Sequence, residues 1–187
     1  AACRHPVRWP SRRSEHELPA LSITHFTDRT ELFVEFRALV RGQDSAFAAH
    51  LTQLSDFKPV TAGRVAVILS GGGAPEERFE AQAPQVPGIF RPVARPTHAG
   101  ARQLAIVVEV NGTGDRHELG AVSVYASAQE ARAAAPEEAA GAPRVTFLKE
   151  QQWRAEFATA PVGERALRAS VIATGVLRPR PEGEARI

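Results

Sequence analysis

The sequence contains no methionine, one cysteine, one tyrosine and two tryptophans among 187 residues. A lone cysteine, Cys3, excludes an internal disulfide. No stretch approaches the ~18 consecutive apolar residues of a membrane-crossing helix. Lysine is nearly missing as well. Of 23 basic residues only Lys58 and Lys149 are lysine, which with the abundant alanine points to a GC-rich genome rather than to phosphate binding. Catalytic signatures are absent too. Ser70-Gly71-Gly72-Gly73 lacks the Gly-Lys-Ser/Thr ending of a phosphate loop and lies between two strand-like segments, where a hairpin turn is the simpler reading. No Ser/His/Asp spacing and no His-Glu-x-x-His cluster occurs, so the chain reads as a non-enzyme. The pI of 9.2 has a local origin. Arg4, Arg8, Arg12 and Arg13 face only Glu15 and Glu17 within residues 1–20, leaving 19 basic and 19 acidic side chains in the remainder. A neutral body argues against a nucleic-acid partner, which needs cations gathered on a folded face.

The composition that is present, 43% hydrophobic and 24% charged, is that of an ordinary globular domain. With no methionine, Ala1 does not read as a translational start, and the expectation is a processed product or a fragment. The triplet Ala1-Ala2-Cys3 has the form of a bacterial lipoprotein junction, in which the Cys3 thiol becomes the lipid attachment point. An incidental cysteine near a chain end is the competing reading. Residues 4–20 are polar, proline-containing and aperiodic, as a flexible tether would be.

From Leu21 onward the pattern is that of strands. Thr30 to Phe36 alternates, Ser45 to Leu54 is an apolar run, and Arg64 to Ser70 is the clearest strand, closed by the turn Gly71 to Pro75. Arg78 to Gln82 is its hairpin partner. Gly88 to Val93 is short and edge-like because of its proline. Gln103 to Val110 and His117 to Ala126 flank the hairpin signal Asn111 to Asp115. About seven strands at intervals of roughly 8 to 14 residues, with no amphipathic helix between them, predict an all-β fold, an Ig-like antiparallel β-sandwich over residues 21–127. Residues 128–144, rich in alanine and glutamate around Pro136, read as a linker or short exposed helix. Residues 145–187 offer a short helix near Phe147 to Trp153, capped by Thr146, and strands at Phe157 to Thr159 and Ala169 to Leu177. These are too few to close a core, so they read as the start of an incomplete second β domain.

The segment Val145 to Arg180 resembles the lead-in to the lipoyl-like domain of periplasmic adaptor (membrane fusion) subunits of resistance–nodulation–division efflux pumps, heavy-metal branch. The likeness lies in Phe147-Leu148-Lys149-Glu150-Gln151-Gln152-Trp153, in Phe157-Ala158-Thr159-Ala160-Pro161-Val162, and in Ala173-Thr174-Gly175-Val176. Residues 25–125 resemble the extra N-terminal domain of some of these adaptors, through His25-Phe26-Thr27-Asp28, Glu31 to Phe36, Phe47 to His50 and Phe57 to Val60. The resemblance implies a periplasmic component, anchored to the inner membrane through Cys3, that self-associates and bridges an inner-membrane pump and an outer-membrane channel. The helical hairpin and lipoyl domain that make the channel contacts would follow Ile187.

The reactive candidates are the histidines at 5, 16, 25, 50, 98 and 117. His25 with Asp28 three residues on, and His50 on a neighbouring strand, would form a divalent-metal site if those strands pair. The competing reading gives each histidine a single structural hydrogen bond. Without methionine thioethers, which select Cu(I), any site here suits Zn(II), Co(II), Ni(II) or Cu(II), and no other cofactor is implied. Trp153, Phe147 and Phe157 read either as a partner-binding cluster or as pins for the short helix. Two other functions remain open at this level. One is a freestanding periplasmic sandwich lipoprotein that binds or buffers a transition metal. The other is an adhesion sandwich, disfavoured because residues 21–127 hold no tryptophan and only Tyr125.

Overall fold

The computed structural model describes residues 17–110, 112–134, 148–155, 157–160, 162–164, 166 and 175. Cys3, His5, His16, Asn111, the 135–147 stretch with Thr146 and Phe147, and all of the expected strand from Ala169 to Leu177 except Gly175 lie outside these residues.

The fold is all-β, as expected. Strands β1 (Ala20–Phe26), β2 (Thr30–Arg37), β5 (Ala48–Gln53) and β8 (Ile89–Phe90) form one antiparallel sheet in the order β1-β2-β5-β8. A second sheet runs β3 (Leu39–Val40), β11 (Thr113–Tyr125), β10 (Gly100–Val110), β6 (Arg64–Ser70), β7 (Glu77–Ala81). A third, two-stranded piece pairs β4 (Ser45–Ala46) with β9 (Val93–Ala94). The chain leaves the first sheet after Arg37 and enters the second as β3, parallel to the end of β11. Together with β6 beside the last hairpin, that crossing gives the Ig-like arrangement of a three-strand core, β6-β10-β11, facing β2-β5.

The alternation of β2 explains how the sheets meet. Leu32, Val34 and Phe36 point inward and are buried with Leu51 and Ala49 of β5, and with Val65, Val67, Leu69, Leu104, Ile106 and Val108 of the opposite sheet. Phe36 and Phe47 stack at 4.4 Å between ring centres, nearly parallel, closing one end of the core. The expected single run from Ser45 to Leu54 is broken at Phe47, whose N–H donates to Pro92 O (2.9 Å) as the ring turns into the core. Strand β1 was not singled out in the sequence, because Ala20, Ser22 and Thr24 on its exposed side are small and only mildly polar.

One irregularity decides the functional geometry. Leu104 pairs with Gly120, but Ala105 pairs with Glu118, so Leu119 is an extra residue and β11 carries a β-bulge. Gly120 has φ +85°, a conformation that glycine adopts without strain. Beyond the bulge Val122 and Val124 face inward; before it, the inward residues become His117 and Asp115, opposite Ile106 and Val108. Strict alternation from Val124 would have turned both polar side chains outward.

Helix α1 (Ala128–Ala133) is capped by Ser127, whose Oγ accepts from Glu130 N (3.2 Å), and it buries Ala131 against Ala38 and Val40. Helix α2 (Lys149–Gln152) is shorter than the expected 146–153 element. It begins a strap, Leu148 to Ala160, laid over the outer face of the first sheet by the contacts of Lys149, Trp153 and Thr159.

Candidate functional site

Two polar clusters stand out, one inside the sandwich and one on its outer face. Inside, the bulge brings β11 against the start of β2. Thr30 Oγ1 donates to Asp115 Oδ2 (2.6 Å), and Thr27 Oγ1 reaches the same oxygen (2.7 Å). Having spent its only proton, the Thr30 hydroxyl accepts from His117 Nε2 (2.9 Å). His117 therefore carries its proton on Nε2 and presents a lone pair at Nδ1, which faces His25 Nδ1 at 3.1 Å. His25 is the donor of that contact, and the rings meet edge to face. The result is a directed chain, His25 to His117 to Thr30 to Asp115, that links both sheets. His117 is fully buried, and burial pushes its pKa down to about 4, against the attraction of Asp115 and helped by His25. It is a neutral imidazole across the physiological range. Below the chain a cleft of about 320 Å3 opens between the sheets, with Val60, Val108 and Leu54 on its walls and Asp28, Arg29 and Gln53 at its mouth.

Outside, the strap makes a small second interior. The buried Glu31 carboxylate receives the Lys149 ammonium and the Thr159 hydroxyl (2.9 Å) on Oε1, while Lys149 also donates to Gln152 Oε1 (3.0 Å). Trp153 Nε1–H donates to Thr52 Oγ1 (2.8 Å). The indole lies on Gly88, where an added Cβ would stand 2.3 Å from Trp153 Cη2 and 2.7 Å from Pro59 Cβ. His50 is buried beneath this strap, 6.2 Å from the Trp153 ring centre. Its Nδ1 has no hydrogen-bond partner, and Glu150 Oε1 stands 3.8 Å away. Burial lowers its pKa, although Glu150 and Glu35 pull the other way.

The expected site of His25, Asp28 and His50 is not assembled. His25 pairs with Leu32 and His50 with Phe33, and adjacent residues of a strand face opposite sides of the sheet. His25 thus points into the sandwich and His50 out of it. Asp28 sits on the exposed turn before β2, at the mouth of the cleft. Instead the structure joins His25 to His117, a pair that the sequence spacing did not suggest. The one available signal was Gly120 inside a strand, a bulge marker. His98 contacts Thr97 Oγ1 (2.8 Å) near Glu77 and is exposed. Among the described residues no group of three or more histidine, cysteine, aspartate and glutamate side chains gathers as a metal site. Nor does any described helix have the length and apolarity to cross a membrane. Compared with protein-family models, curated proteins and solved structures, the chain matches none of them.

Proposed function

We propose that this chain is the N-terminal part of a periplasmic adaptor in a tripartite resistance–nodulation–division efflux system for heavy-metal cations. In that role it helps to bridge an inner-membrane pump and an outer-membrane channel, held to the membrane by lipid on Cys3. The reading rests on the phrases of residues 25–125 and 145–180 that resemble such adaptors. The observation that carries it furthest is the strap. Lys149, Trp153 and Thr159, from the more specific phrase, are tied to Glu31 and Thr52 of the sandwich, so the two resembling regions form one unit. An adaptor needs that rigidity if a sandwich is to position the segment leading to conduit-forming domains.

Deleting the gene in its host tests the reading. The expected outcome is lower tolerance to Zn(II), Co(II), Ni(II) or Cu(II), restored by the parental gene, with the protein cross-linking to an inner-membrane pump in vivo. Unchanged tolerance together with no such cross-link would overturn it.

A second reading, a metal-binding sandwich lipoprotein, is favoured by one observation. The Nδ1 atoms of His25 and His117 lie 3.1 Å apart, a separation that a shared transition ion can span. Both lone pairs become available if His25 moves its proton to Nε2, and the His117–Thr30–Asp115 relay would then orient the buried ligand. Calorimetry with Zn(II) and Cu(II), on the parent and on His25→Ala, decides this. Binding that His25→Ala leaves unchanged removes the His25–His117 site.

A further inference from the structure

At the end of the first sheet, the loop after β5 returns through Gln53 N donating to Lys58 O (2.8 Å) and a bridge between Thr52 and Pro59. Phe57 closes this loop at φ +56°, the only described non-glycine residue in the left-handed region. Glycine and asparagine adopt that conformation readily, and a bulky side chain does not. Nor does the core explain Phe57, since the residue is 47% exposed. A strained backbone position holding an aromatic residue half in water points to a task other than folding.

The strap faces it. Trp153 is fixed by its bond to Thr52, and its indole N–H is thereby spent, so it offers a neighbour only apolar ring surface. Phe157, 50% exposed, and Arg154 lie further along. Between loop and strap runs a cleft of about 470 Å3, within the range of ~300–1,000 Å3 typical of small-molecule sites. Among the described residues its charged side chains are Asp56, Lys58 and Arg154, two cationic and one anionic. Asp56 is engaged locally, accepting from Lys58 N (3.1 Å) with the Lys58 ammonium 3.8 Å away.

We propose that this cleft binds an amphipathic organic anion, an aromatic or branched aliphatic carboxylate. Its apolar body lies between Phe57 and Phe157 on the Trp153 ring, and its carboxylate meets Arg154 and Lys58. Arginine supplies the paired donors that fit a carboxylate, and the exposed rings supply the area that fixes the body. This site is independent of the adaptor reading.

Titration of the full chain with 2-naphthoate, and with the uncharged 2-naphthamide, tests it by calorimetry and by nuclear magnetic resonance shifts. The expected result is saturable one-to-one binding of the acid, with the amide at least tenfold weaker. Phe57→Asn keeps a residue that tolerates the left-handed backbone; it should melt within a few degrees of the parent yet bind at least tenfold more weakly. Arg154→Gln should reduce the acid to the affinity of the amide and leave the amide unchanged. Non-saturable binding, equal affinity for acid and amide, or affinities indifferent to both substitutions would overturn the proposal.

Discussion

A buried neutral imidazole is stable only while the solvent leaves it neutral. His117 titrates near 4 in the folded chain, whereas an exposed histidine does so near 6.5. Above pH 6.5 both forms are neutral and the fold keeps its full stability. As pH falls from 6.5 toward 4, the unfolded chain takes up a proton that the folded chain refuses, and about 3 kcal/mol is lost. The lowered His50 adds to the loss in the same direction. Guanidinium denaturation midpoints should therefore fall between pH 7.5 and 4.5, and His117→Gln should flatten that slope. A His117 ring signal that titrates near 6.5 in the folded protein would contradict the buried assignment. Arg102 is a second residue of this kind. It is 1% exposed, and its guanidinium donates to Leu69 O (2.7 Å), Ser70 O (3.3 Å) and Pro75 O (2.6 Å) while pairing with Glu77 (3.1 Å). Arg102→Met leaves Leu69 O, Ser70 O, Pro75 O and Glu77 without that donor. It should cost ~3–5 kcal/mol in chemical denaturation, far more than an exposed ion pair.

The strap illustrates the element scale. Four residues of helix, Lys149–Gln152, have no independent stability in water, so α2 exists because the sheet accepts it. Lys149→Met would strand the buried Glu31 carboxylate and should destabilise by ~3 kcal/mol or more. Pairing it with Glu31→Gln should recover most of that loss, and a double-mutant cycle measures the coupling. Gly88→Ala attacks the same element from below. Besides the collision with Trp153, φ at Gly88 is +83°, so the methyl is strained wherever the ring goes. The expected outcome is a lifted strap, seen as red-shifted tryptophan emission and faster proteolysis after Leu148, with the β-sheet circular dichroism retained. Element types were mostly legible in the sequence. Arg64–Ser70 falls where the pattern puts it, Thr30 to Phe36 is extended by one residue to Arg37, and Gln103 to Val110 begins three residues earlier at Gly100. Periodicity could not give the face of β11, because it assumes an unbroken pleat and the extra Leu119 shifts every residue before it by one.

For the whole molecule, the core cluster among the described residues runs from Leu32 to Val124 and contains no described strap residue. A fragment of residues 17–134 should therefore fold cooperatively with dispersed amide resonances, and it should melt below the full chain because Glu31 and His50 become exposed. Restoring the strap as a separate peptide should not rescue it at micromolar concentration, since a segment this short pays its ordering entropy without the covalent tether. A fragment that fails to fold would show that the strap belongs to the sandwich core rather than to its surface.

The sequence by itself determined the class: alternating β-branched and aromatic residues, turn glycines at regular intervals and a charge-neutral body permit an all-β sandwich and little else. Only the tertiary structure decided which side chains meet. The separation of His25 from His50 depends on strand register, the partnership of His25 with His117 on one bulge, and the burial of His50 on a strap about a hundred residues away in the chain. Local pattern fixes what a segment is, because propensity and periodicity act over a few residues. Which functional groups converge is set by register and packing between segments distant in sequence, which local pattern marks only at points such as the bulge glycine Gly120.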